Sequence, residues 1–328
     1  MITLGIETSC DETAVGIVRD GQVLANTVSS QIAHARFGGV VPELAARNHI
    51  RIIQPLTRIA LETAAVSLPE IDLICATRGP GLIGALLVGL TYARSLALAL
   101  RKPFLGVNHL EGHLYALQTA ARRPSYPSMV LIVSGGHTEI VLRDREFHYR
   151  TLARTVDDAC GEAFDKVAKI IGLPYPGGPY VERAARRGRI GAIRFPVPNP
   201  KRFGFSYSGL KTAVLYYTRE HPAYNPNDVA ANFQESALDH LIAVMRTALD
   251  RIPVTQIAVV GGVSANQRLR EKCAKLARER SVGLIIPDLP FCMDNGAMIA
   301  LAGAARFKAF GPSVDTDAVA REPLDIVF

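Results

Sequence analysis

Cysteine is scarce in this chain of 328 residues, and its spacing is unlike that of a disulfide-rich protein. The five cysteines are odd in number, and no two of them form a CxxC pair. Both facts argue against a disulfide framework and favour a reducing compartment. The first residues, Met1-Ile2-Thr3, open neither a basic nor an apolar leader. We therefore expect no signal peptide and a cytoplasmic location.

Long uninterrupted apolar runs are also missing. The longest apolar stretch covers residues 81–100, and it contains Arg94 and several glycine and polar residues. An arginine near the centre of a membrane helix costs about 2.5–3.5 kcal/mol on insertion scales. We interpret the stretch as a buried helix with Arg94 at its edge, and we expect no membrane association.

Acidic residues are outnumbered by basic ones. The chain has 37 Lys and Arg against 30 Asp and Glu, which gives a net charge of +7. Such an excess favours an anionic partner such as a nucleic acid without identifying it. With 48% hydrophobic residues, the chain has enough apolar surface to fold. At about 150 residues per domain, its length predicts two domains or one large domain.

Apolar and turn-forming residues alternate in a way that predicts an α/β protein. We predict strands at 2–7, 14–18 and 22–28, and then a regular alternation of helices and strands as far as residue 108. A similar strand–turn–strand pattern begins again near Ser128. The recurrence predicts a duplicated architecture around a central cleft.

The sharpest local signal is the pair His109 and His113. A spacing of four residues places both imidazoles on one face of a helix, which suits a divalent metal ion. Two unrelated polar residues at a helix start would have the same spacing. Glu111 lies between them, but on the opposite face from His109, whereas zinc peptidases have the order HExxH. The spacing therefore disfavours a peptidase.

Two glycine turns follow predicted strands. They are Ser134-Gly135-Gly136-His137 and Gly261-Gly262-Val263-Ser264. Glycines at such places let backbone amides approach a phosphate, although a tight turn that binds nothing would look the same. Neither turn matches the Rossmann or Walker A patterns. Two such turns in α/β units favour a nucleotide cleft.

Carboxylates occur in three further places. Residues 8–13 form a polar turn that includes Asp11 and Glu12. Asp294 opens the last predicted helix, either as its N-cap or as a third metal ligand. Asp165 lies on a predicted helix, where an ion pair with Lys169 would explain it.

A basic and aromatic stretch, residues 194–205, contains Arg194, Phe195 and Phe205. Such a segment could follow an RNA backbone and stack on bases. A solvated loop is the simpler interpretation.

Nine motifs in order resemble the TsaD family, the tRNA N6-adenosine threonylcarbamoyltransferases once described as O-sialoglycoprotein endopeptidases. The resemblance extends over nearly the whole chain. Its motifs are Gly5-Ile-Glu-Thr-Ser-Cys-Asp-Glu-Thr13, His34-Ala-Arg-Phe-Gly-Gly-Val-Val-Pro-Glu43, His109-Leu-Glu-Gly-His113, Ser134-Gly-Gly-His-Thr138, Gly161-Glu-Ala-Phe-Asp-Lys166, Tyr175-Pro-Gly-Gly-Pro179, Phe205-Ser-Tyr-Ser-Gly-Leu-Lys-Thr212, Gly261-Gly-Val-Ser-Ala-Asn266 and Phe291-Cys-Met-Asp-Asn-Gly-Ala297.

The resemblance implies a duplicated α/β fold of the actin, sugar-kinase and heat-shock-ATPase (ASKHA) type. It implies an N-terminal domain at 1–108, with a C-terminal helix at about 294–328 packing back on it, and a second domain at 109–293. The implied reaction moves the threonylcarbamoyl group from threonylcarbamoyl-AMP to the exocyclic amine of adenosine 37, in tRNAs that read codons beginning with A. AMP is released.

The resemblance also assigns residues. His109, His113 and Asp294 would hold one divalent metal ion per subunit, iron in the first place and zinc in the second. Asp11 and Glu12 are candidates for proton removal or orientation. The adenylate site would consist of Ile132, Val133, Ser134, Gly135, Gly136, Asp165, Gly178, Glu182 and Asn266.

The implied partners are tRNA, a paralogous actin-like subunit and a small P-loop ATPase. The apolar segments 42–65 and 81–100 are candidates for the surface that contacts a partner protein. A metallo-endopeptidase, a small-molecule kinase of the same fold and a non-enzymatic assembly platform remain as alternatives.

Overall fold

The computed structural model describes residues 1–31, 39–198, 203–312 and 317–324. These residues form two compact units. The first unit consists of Met1–Arg122 together with Pro287–Leu324, and the second unit is Arg123–Ile286. Part of the predicted motif 34–43 lies outside the described residues, as do residues 199–202 of the basic stretch and the last four residues.

The first unit contains a five-stranded sheet in the order β3-β2-β1-β4-β5. The β1–β2 and β2–β3 pairs are antiparallel, whereas β1–β4 and β4–β5 are parallel. The strands are β1 (Ile2–Glu7), β2 (Glu12–Arg19), β3 (Gln22–Ser30), β4 (Leu73–Gly79) and β5 (Phe104–Asn108). Its helices are α1 (Pro42–Ala64), α2 (Ile83–Leu100), α3 (His109–Ala116) and α9 (Gly296–Phe310).

The second unit repeats this topology. Its sheet has the order β10-β9-β6-β7-β8, with an antiparallel meander β6–β7–β8 and parallel neighbours β9 and β10. The strands are β6 (Ser128–Val133), β7 (Thr138–Arg145), β8 (His148–Arg154), β9 (Gln256–Val260) and β10 (Gly283–Ile285). The helices are α4 (Cys160–Ile170), α5 (Gly177–Ala185), α6 (Ser208–Glu220), α7 (Pro226–Arg251) and α8 (Gln267–Glu279). The predicted duplicated α/β architecture is confirmed.

Side chains alternate along β1, so one face of this strand packs against α1 and α2 and the other face packs against α9. Leu4 and Ile6 belong to a core formed with α1 and α2. Gly5 points the other way, toward α9, where a Cβ atom would collide with the backbone of Ala300. Successive side chains of a strand face opposite sides of the sheet. Only glycine lets α9 approach this closely, and the close approach fixes the segment that carries Asp294.

The limits of the first unit differ from the predicted domain limits. The sequence-based division at residue 108 assigns α3 to the second domain, but α3 packs against α9 inside the first unit. The last helix ends at Phe310 and is followed by Gly311 with φ 77°, so it does not extend through the described residues up to 324. A positive φ is the conformation that glycine adopts at little cost, and it stops the helix.

Helix α5 begins inside the motif Tyr175-Pro-Gly-Gly-Pro179, whose glycines and prolines are typical of a rigid loop rather than of a helix. Gly177, Gly178 and Pro179 form its first turn. The first amides of a helix have no partner within the helix, so proline and glycine are tolerated there. The sequence pattern therefore concealed the helix start.

Helix α2 is long and apolar enough to span a membrane by length and composition alone. One third of its residues, 33%, are buried in the structure. Leu86, Leu90 and Ala93 pack in the core, while Leu87 and Leu98 are exposed. The helix thus contributes one face to the core and presents the other outward.

The described aromatic side chains of the basic stretch pack inside the second unit. Phe205 is fully buried, and Phe195 and Phe203 pack against the core. Phe195 makes an edge contact with Tyr217 at 5.7 Å between ring centroids. These three rings are core residues, so the predicted stacking on bases gains no support from them.

Candidate metal centre and glycine turns

Helix α3 presents the two histidines directly after β5. Asn108 ends the strand and caps the helix, because its Oδ1 accepts hydrogen bonds from the backbone N–H groups of Leu110 and Glu111 at 2.9 and 3.2 Å. His109 and His113 follow on one face, with ring centroids 4.8 Å apart and planes at 81°. Both side chains are buried. The predicted helical pair is thus formed.

Asp294 completes the group from the far end of the chain. Its Oδ1 lies 3.2 Å from Nε2 of His113 and 3.6 Å from Nε2 of His109. One ligand atom of each residue lies within 4.8 Å of the others. Asn295 caps α9, since its Oδ1 accepts from the N–H of Met298 at 2.9 Å. The N-cap interpretation of Asp294 is therefore wrong.

Helix α3 is fixed to α9 by a buried ion pair. Glu111 is fully buried and accepts a hydrogen bond from Nε of Arg306. Gly112 faces Ile299, whose Cδ1 would lie 2.8 Å from an added Cβ. Glu111 therefore holds the two helices together, which disfavours a role as the base of a peptidase.

The donor set fits a divalent transition metal. Two imidazole nitrogens and one carboxylate oxygen, with positions left for a reactant, are typical of iron and zinc sites. Among the described residues, neither ring nitrogen of buried His113 has a hydrogen-bond partner. A buried polar nitrogen without a partner is costly, and a metal ion at Nε2 would satisfy it.

Charge is concentrated around His109. Its Nδ1 lies 2.9 Å from Oε2 of Glu7, which is fully buried. Burial lowers the pKa of His109, but the negative charges of Asp294 and Glu7 outweigh it and raise the pKa to about 9. Burial raises the pKa of Glu7, but the charge and hydrogen bond of His109 hold it below its ordinary value. The two groups stabilise each other as an ion pair.

The polar turn at residues 8–13 is held by the surrounding elements. Thr8 donates to the backbone oxygen of Ala85 at 2.9 Å. His49 on α1 lies 2.8 Å from Oγ1 of Thr13 and 2.9 Å from the backbone oxygen of Cys10. Since that carbonyl can only accept, Nε2 of His49 donates to it. The turn is therefore a built structure rather than a solvated loop.

Glu12 begins β2 beside this turn. Burial, followed by the charges of Asp294 and Asp11, raises the pKa of Glu12 well above its ordinary value. Asp294 thus influences Glu12 as well as the two histidines. The structure places this predicted catalytic residue in the electrostatic surroundings of the candidate metal centre.

The first glycine turn joins β6 to β7 in the second unit. Ser134 closes it by donating its N–H to the oxygen of His137 at 2.8 Å. Gly135 and Gly136 are exposed, and an added Cβ on either would meet nothing within 4 Å. Their amides are thus open to a ligand. Ile132 and Val133 are fully buried in β6, so their side chains support the turn from below.

The second glycine turn packs against the end of β6. Gly261 has φ 91°, and an added Cβ would lie 2.5 Å from the oxygen of Val133. Gly161 at the start of α4 donates to the oxygen of Ser134 at 3.1 Å. The ends of β6 and β9 and the start of α4 therefore meet at one edge of the sheet.

Three of the remaining predicted adenylate residues contact the starts of helices α5 and α8. Asp165 accepts from the N–H of Gly177 at 2.6 Å, so it holds α5 rather than forming the predicted helix pair with Lys169. Glu182 accepts from the N–H of Gln267 at 3.1 Å. Asn266 caps α8 by accepting from Leu269 at 2.9 Å.

Gly178 lies in the first turn of α5, with open space at its Cβ position. Asn266 also donates to Gln234 at 2.9 Å, so both ends of its amide are used within the protein. These contacts give Asp165, Glu182 and Asn266 structural roles. Gly135, Gly136 and Gly178 present open backbone.

Comparison with known proteins identifies the family. A family model described as "TsaD: tRNA N6-adenosine threonylcarbamoyltransferase" matches residues 22–301. The chain belongs to the TsaD family. The predicted resemblance is thereby confirmed.

Curated TsaD relatives match nearly the full length. The tRNA N6-adenosine threonylcarbamoyltransferase of Thermosipho africanus is 48% identical, over 94% of this chain and 95% of its own. That of Kosmotoga olearia is also 48% identical, over 97% of this chain and 98% of its own. These relatives favour the transferase reading over the peptidase and kinase alternatives.

Solved structures match the TsaD chain in fold. A nucleotide- and phosphate-bound full-length HypF superposes with TM-score 0.63 and 13% identity, covering 95% of this chain and 47% of HypF. An activator of 2-hydroxyisocaproyl-CoA dehydratase from Clostridium difficile has TM-score 0.58 and 14% identity, with coverage of 94% and 96%. These likenesses establish the duplicated actin-like fold.

Three residues that support the candidate metal centre or the polar turn have no counterpart in the sequence-based assignment. Glu7 contacts His109, Thr77 donates to Glu7 at 2.6 Å, and His49 holds the polar turn. Glu7 stands at the end of an apolar strand, where a charged residue needs a partner. That signal could have found Glu7, whereas no local pattern distinguishes His49 or Thr77.

Proposed function

We propose that this chain transfers the threonylcarbamoyl group from threonylcarbamoyl-AMP to the exocyclic amine of adenosine 37, in tRNAs that read codons beginning with A, with release of AMP. The observation that carries the proposal is the convergence of His109, His113 and Asp294 in a chain of the TsaD family. Near full-length identity of 48% to curated transferases supports the same reaction.

His109, His113 and Asp294 would hold one divalent metal ion per chain, iron in the first place and zinc in the second. Such an ion supplies positive charge that stabilises oxygen atoms as they become negative in acyl transfer. The buried ring of His113, without a hydrogen-bond partner among the described residues, supports this role. Contacts between α3 and α9 hold together the two segments that carry these ligands.

The second unit would bind the adenylate. The backbone amides of exposed Gly135 and Gly136 and of half-buried Gly178 can donate to a phosphate without any side chain of their own in the way. Asp165, Glu182 and Asn266 act by fixing the helix starts around these amides. The buried strand residues Ile132 and Val133 give the turn a rigid base, and Ser134 closes it.

Asp11 and Glu12 would orient the attacking amine and accept its proton. Burial and the charges of Asp294 and Asp11 raise the pKa of Glu12, so this carboxylate binds a proton more readily than an ordinary glutamate. The exocyclic amine of adenosine is weakly basic, so positioning contributes much of the rate.

The partners follow from the reaction and from one exposed surface. The net charge of +7 suits tRNA, and a cytoplasmic location matches that substrate. Helices α1 and α2 pack together and leave Ile50, Ile59, Leu87 and Leu98 exposed. An apolar helix pair of this kind suits a paralogous actin-like subunit, and a small P-loop ATPase would complete the assembly.

The test is mass spectrometry of tRNA nucleosides after depletion of this protein and restoration with defined variants. Wild-type protein should restore threonylcarbamoyladenosine, and His109→Ala or Asp294→Ala should not. Full restoration by both variants would exclude the proposed site. Purified wild-type protein that cleaves peptides but leaves tRNA unmodified would favour a peptidase instead.

A further inference from the structure

Glu7 is a buried carboxylate with every contact directed at the candidate metal centre or its frame. It stands at the last position of β1 and is fully buried. Its Oε1 accepts from the N–H of Ser9, and its Oε2 accepts from Oγ1 of Thr77 at 2.6 Å. Strand, turn and neighbouring strand therefore fix this side chain rigidly.

The same Oε2 atom faces His109. The distance to Nδ1 of His109 is 2.9 Å, and the opposite nitrogen, Nε2, points to Asp294. An ionised carboxylate can only accept, so Nδ1 keeps its proton. When a metal ion displaces the proton from Nε2, the lone pair of Nε2 is therefore directed toward Asp294 and His113. Glu7 thus selects both the ring orientation and the tautomer.

His113 has no such support. No hydrogen-bond partner among the described residues reaches either of its ring nitrogens. The two histidines are therefore unequal, since a carboxylate lies behind Nδ1 of His109, whereas Nδ1 of His113 has no hydrogen-bond partner among the described residues. Carboxylates behind a metal-binding histidine typically contribute 10–100-fold to metal affinity.

We infer that Glu7 is a positioning residue that orients His109 for metal binding, while Glu7 itself stays outside the ligand set. The inference rests on the metal site of the proposed function. It adds a residue behind the ligands and explains why a charged side chain ends an otherwise apolar strand.

Metal affinity is the direct test. Zn²⁺ affinity of the full chain is measured by chelator competition in wild type, Glu7→Gln and Glu7→Ala. We expect about 10–100-fold weaker binding for Glu7→Ala. Glu7→Gln should lie between it and wild type, because an amide oxygen can still accept from Nδ1–H. The matched control is Glu322→Gln, which removes another buried carboxylate of the first unit, paired with Arg78 at 2.6 Å; its affinity should equal that of wild type.

A spectroscopic readout separates orientation from a general loss of stability. In the Zn²⁺-loaded protein labelled with ¹⁵N at histidine, wild type should give a protected Nδ1–H resonance for His109. Glu7→Ala should lose that resonance, and Glu322→Gln should keep it. If Glu7→Ala does not fold, Thr77→Val takes its place, because it removes the hydroxyl that holds Oε2; a smaller loss of affinity is expected.

The possible outcomes distinguish a failure of the positioning role of Glu7 from a failure of the metal site itself. Zn²⁺ binding that is lost in His109→Ala but unchanged in both Glu7 variants would overturn the positioning role and leave the metal site intact. Zn²⁺ binding that is absent in wild type, or unchanged in His109→Ala, would remove the metal site itself. Weaker binding in Glu7→Ala together with an unchanged His109 resonance would also contradict the inference.

Discussion

The two compact units share one strand order and carry opposite chemistry on equivalent loops. In the first unit, the loop between β1 and β2 follows buried Glu7 and contains Asp11. In the second, the loop between β6 and β7 is Ser134-Gly135-Gly136-His137, with open backbone at both glycines. The sheet topology determines where such a loop lies, and the residues determine whether it offers charge or amides.

Buried histidines show the same contrast. His109 of the first unit lies between Glu7 and Asp294, which raise its pKa to about 9. His240 of the second unit lies among the rings of Phe205 and Tyr207, and burial lowers its pKa to about 4. One buried imidazole is therefore charged at neutral pH and the other is neutral, because the first has carboxylates beside it.

The largest expected effect concerns the charged histidine, His109, and the neighbouring Asp294. Replacing His109 or Asp294 with Ala should abolish stoichiometric metal binding and reduce transfer to background, since each removes one of three ligands. Metal per chain is measured by elemental analysis and transfer by nucleoside mass spectrometry. His221→Ala, an exposed histidine of the second unit, is the control and should keep both. Lost transfer with full metal occupancy would contradict the assignment.

The next effect concerns the glycines of the second unit. Gly261→Ala should lower the free energy of unfolding by about 1–3 kcal/mol, because φ 91° is strained for any residue with a Cβ. Gly135→Ala has open space and should change stability by less than about 0.5 kcal/mol. Urea unfolding measures both. We expect Gly135→Ala to weaken AMP binding instead; equal stability losses in the two variants would contradict this division.

A smaller effect on stability is expected when either of two asparagine helix caps is replaced. Asn295 caps α9 in the first unit and Asn266 caps α8 in the second. Replacing either with Ala should cost about 1 kcal/mol of stability. Only Asn295→Ala should also weaken Zn²⁺ binding, because Asn295 adjoins Asp294. Weakening by Asn266→Ala to the same extent would show that the effect is a general loss of stability.

The effect that is smallest at neutral pH is a pH dependence from His240. Its Nε2 accepts from the N–H of Ser206 at 3.2 Å, so the folded state holds it neutral. Because the folded pKa is about 4 and the unfolded value about 6.5, its stabilising contribution is complete above pH 6.5 and is lost as the pH falls toward 4. At pH 5.5, one unit below the unfolded pKa and well above the folded pKa, the loss should be about 1.4 kcal/mol.

His240→Gln keeps an acceptor for Ser206 and cannot be protonated. The difference in thermal stability between wild type and this variant should change between pH 7 and pH 5 and stay constant above pH 7. A difference that is independent of pH across this range would show that His240 does not titrate as described.

Local spacing was enough to predict much of the site. His109 and His113 were assigned to one helix face because 3.6 residues per turn fixes which side chains are neighbours. The two glycine turns are predicted because glycines after a strand let backbone amides approach a ligand. Of these glycines, Gly261 has φ 91° and needs the conformational freedom of glycine. The same local rules failed at the start of α5 and at Asp294, where Asn295 took the capping role.

The sequence by itself determined the family, the duplicated α/β fold and the three candidate metal ligands. Only the tertiary structure decided that Glu7 orients His109, that Glu111 binds Arg306 and that α2 exposes one apolar face. The physical reason is the separation along the chain over which each kind of interaction acts. Helix and turn geometry acts over a few residues, whereas these contacts join residues from 102 to 195 positions apart in Glu7–His109 and Glu111–Arg306, which only packing brings together.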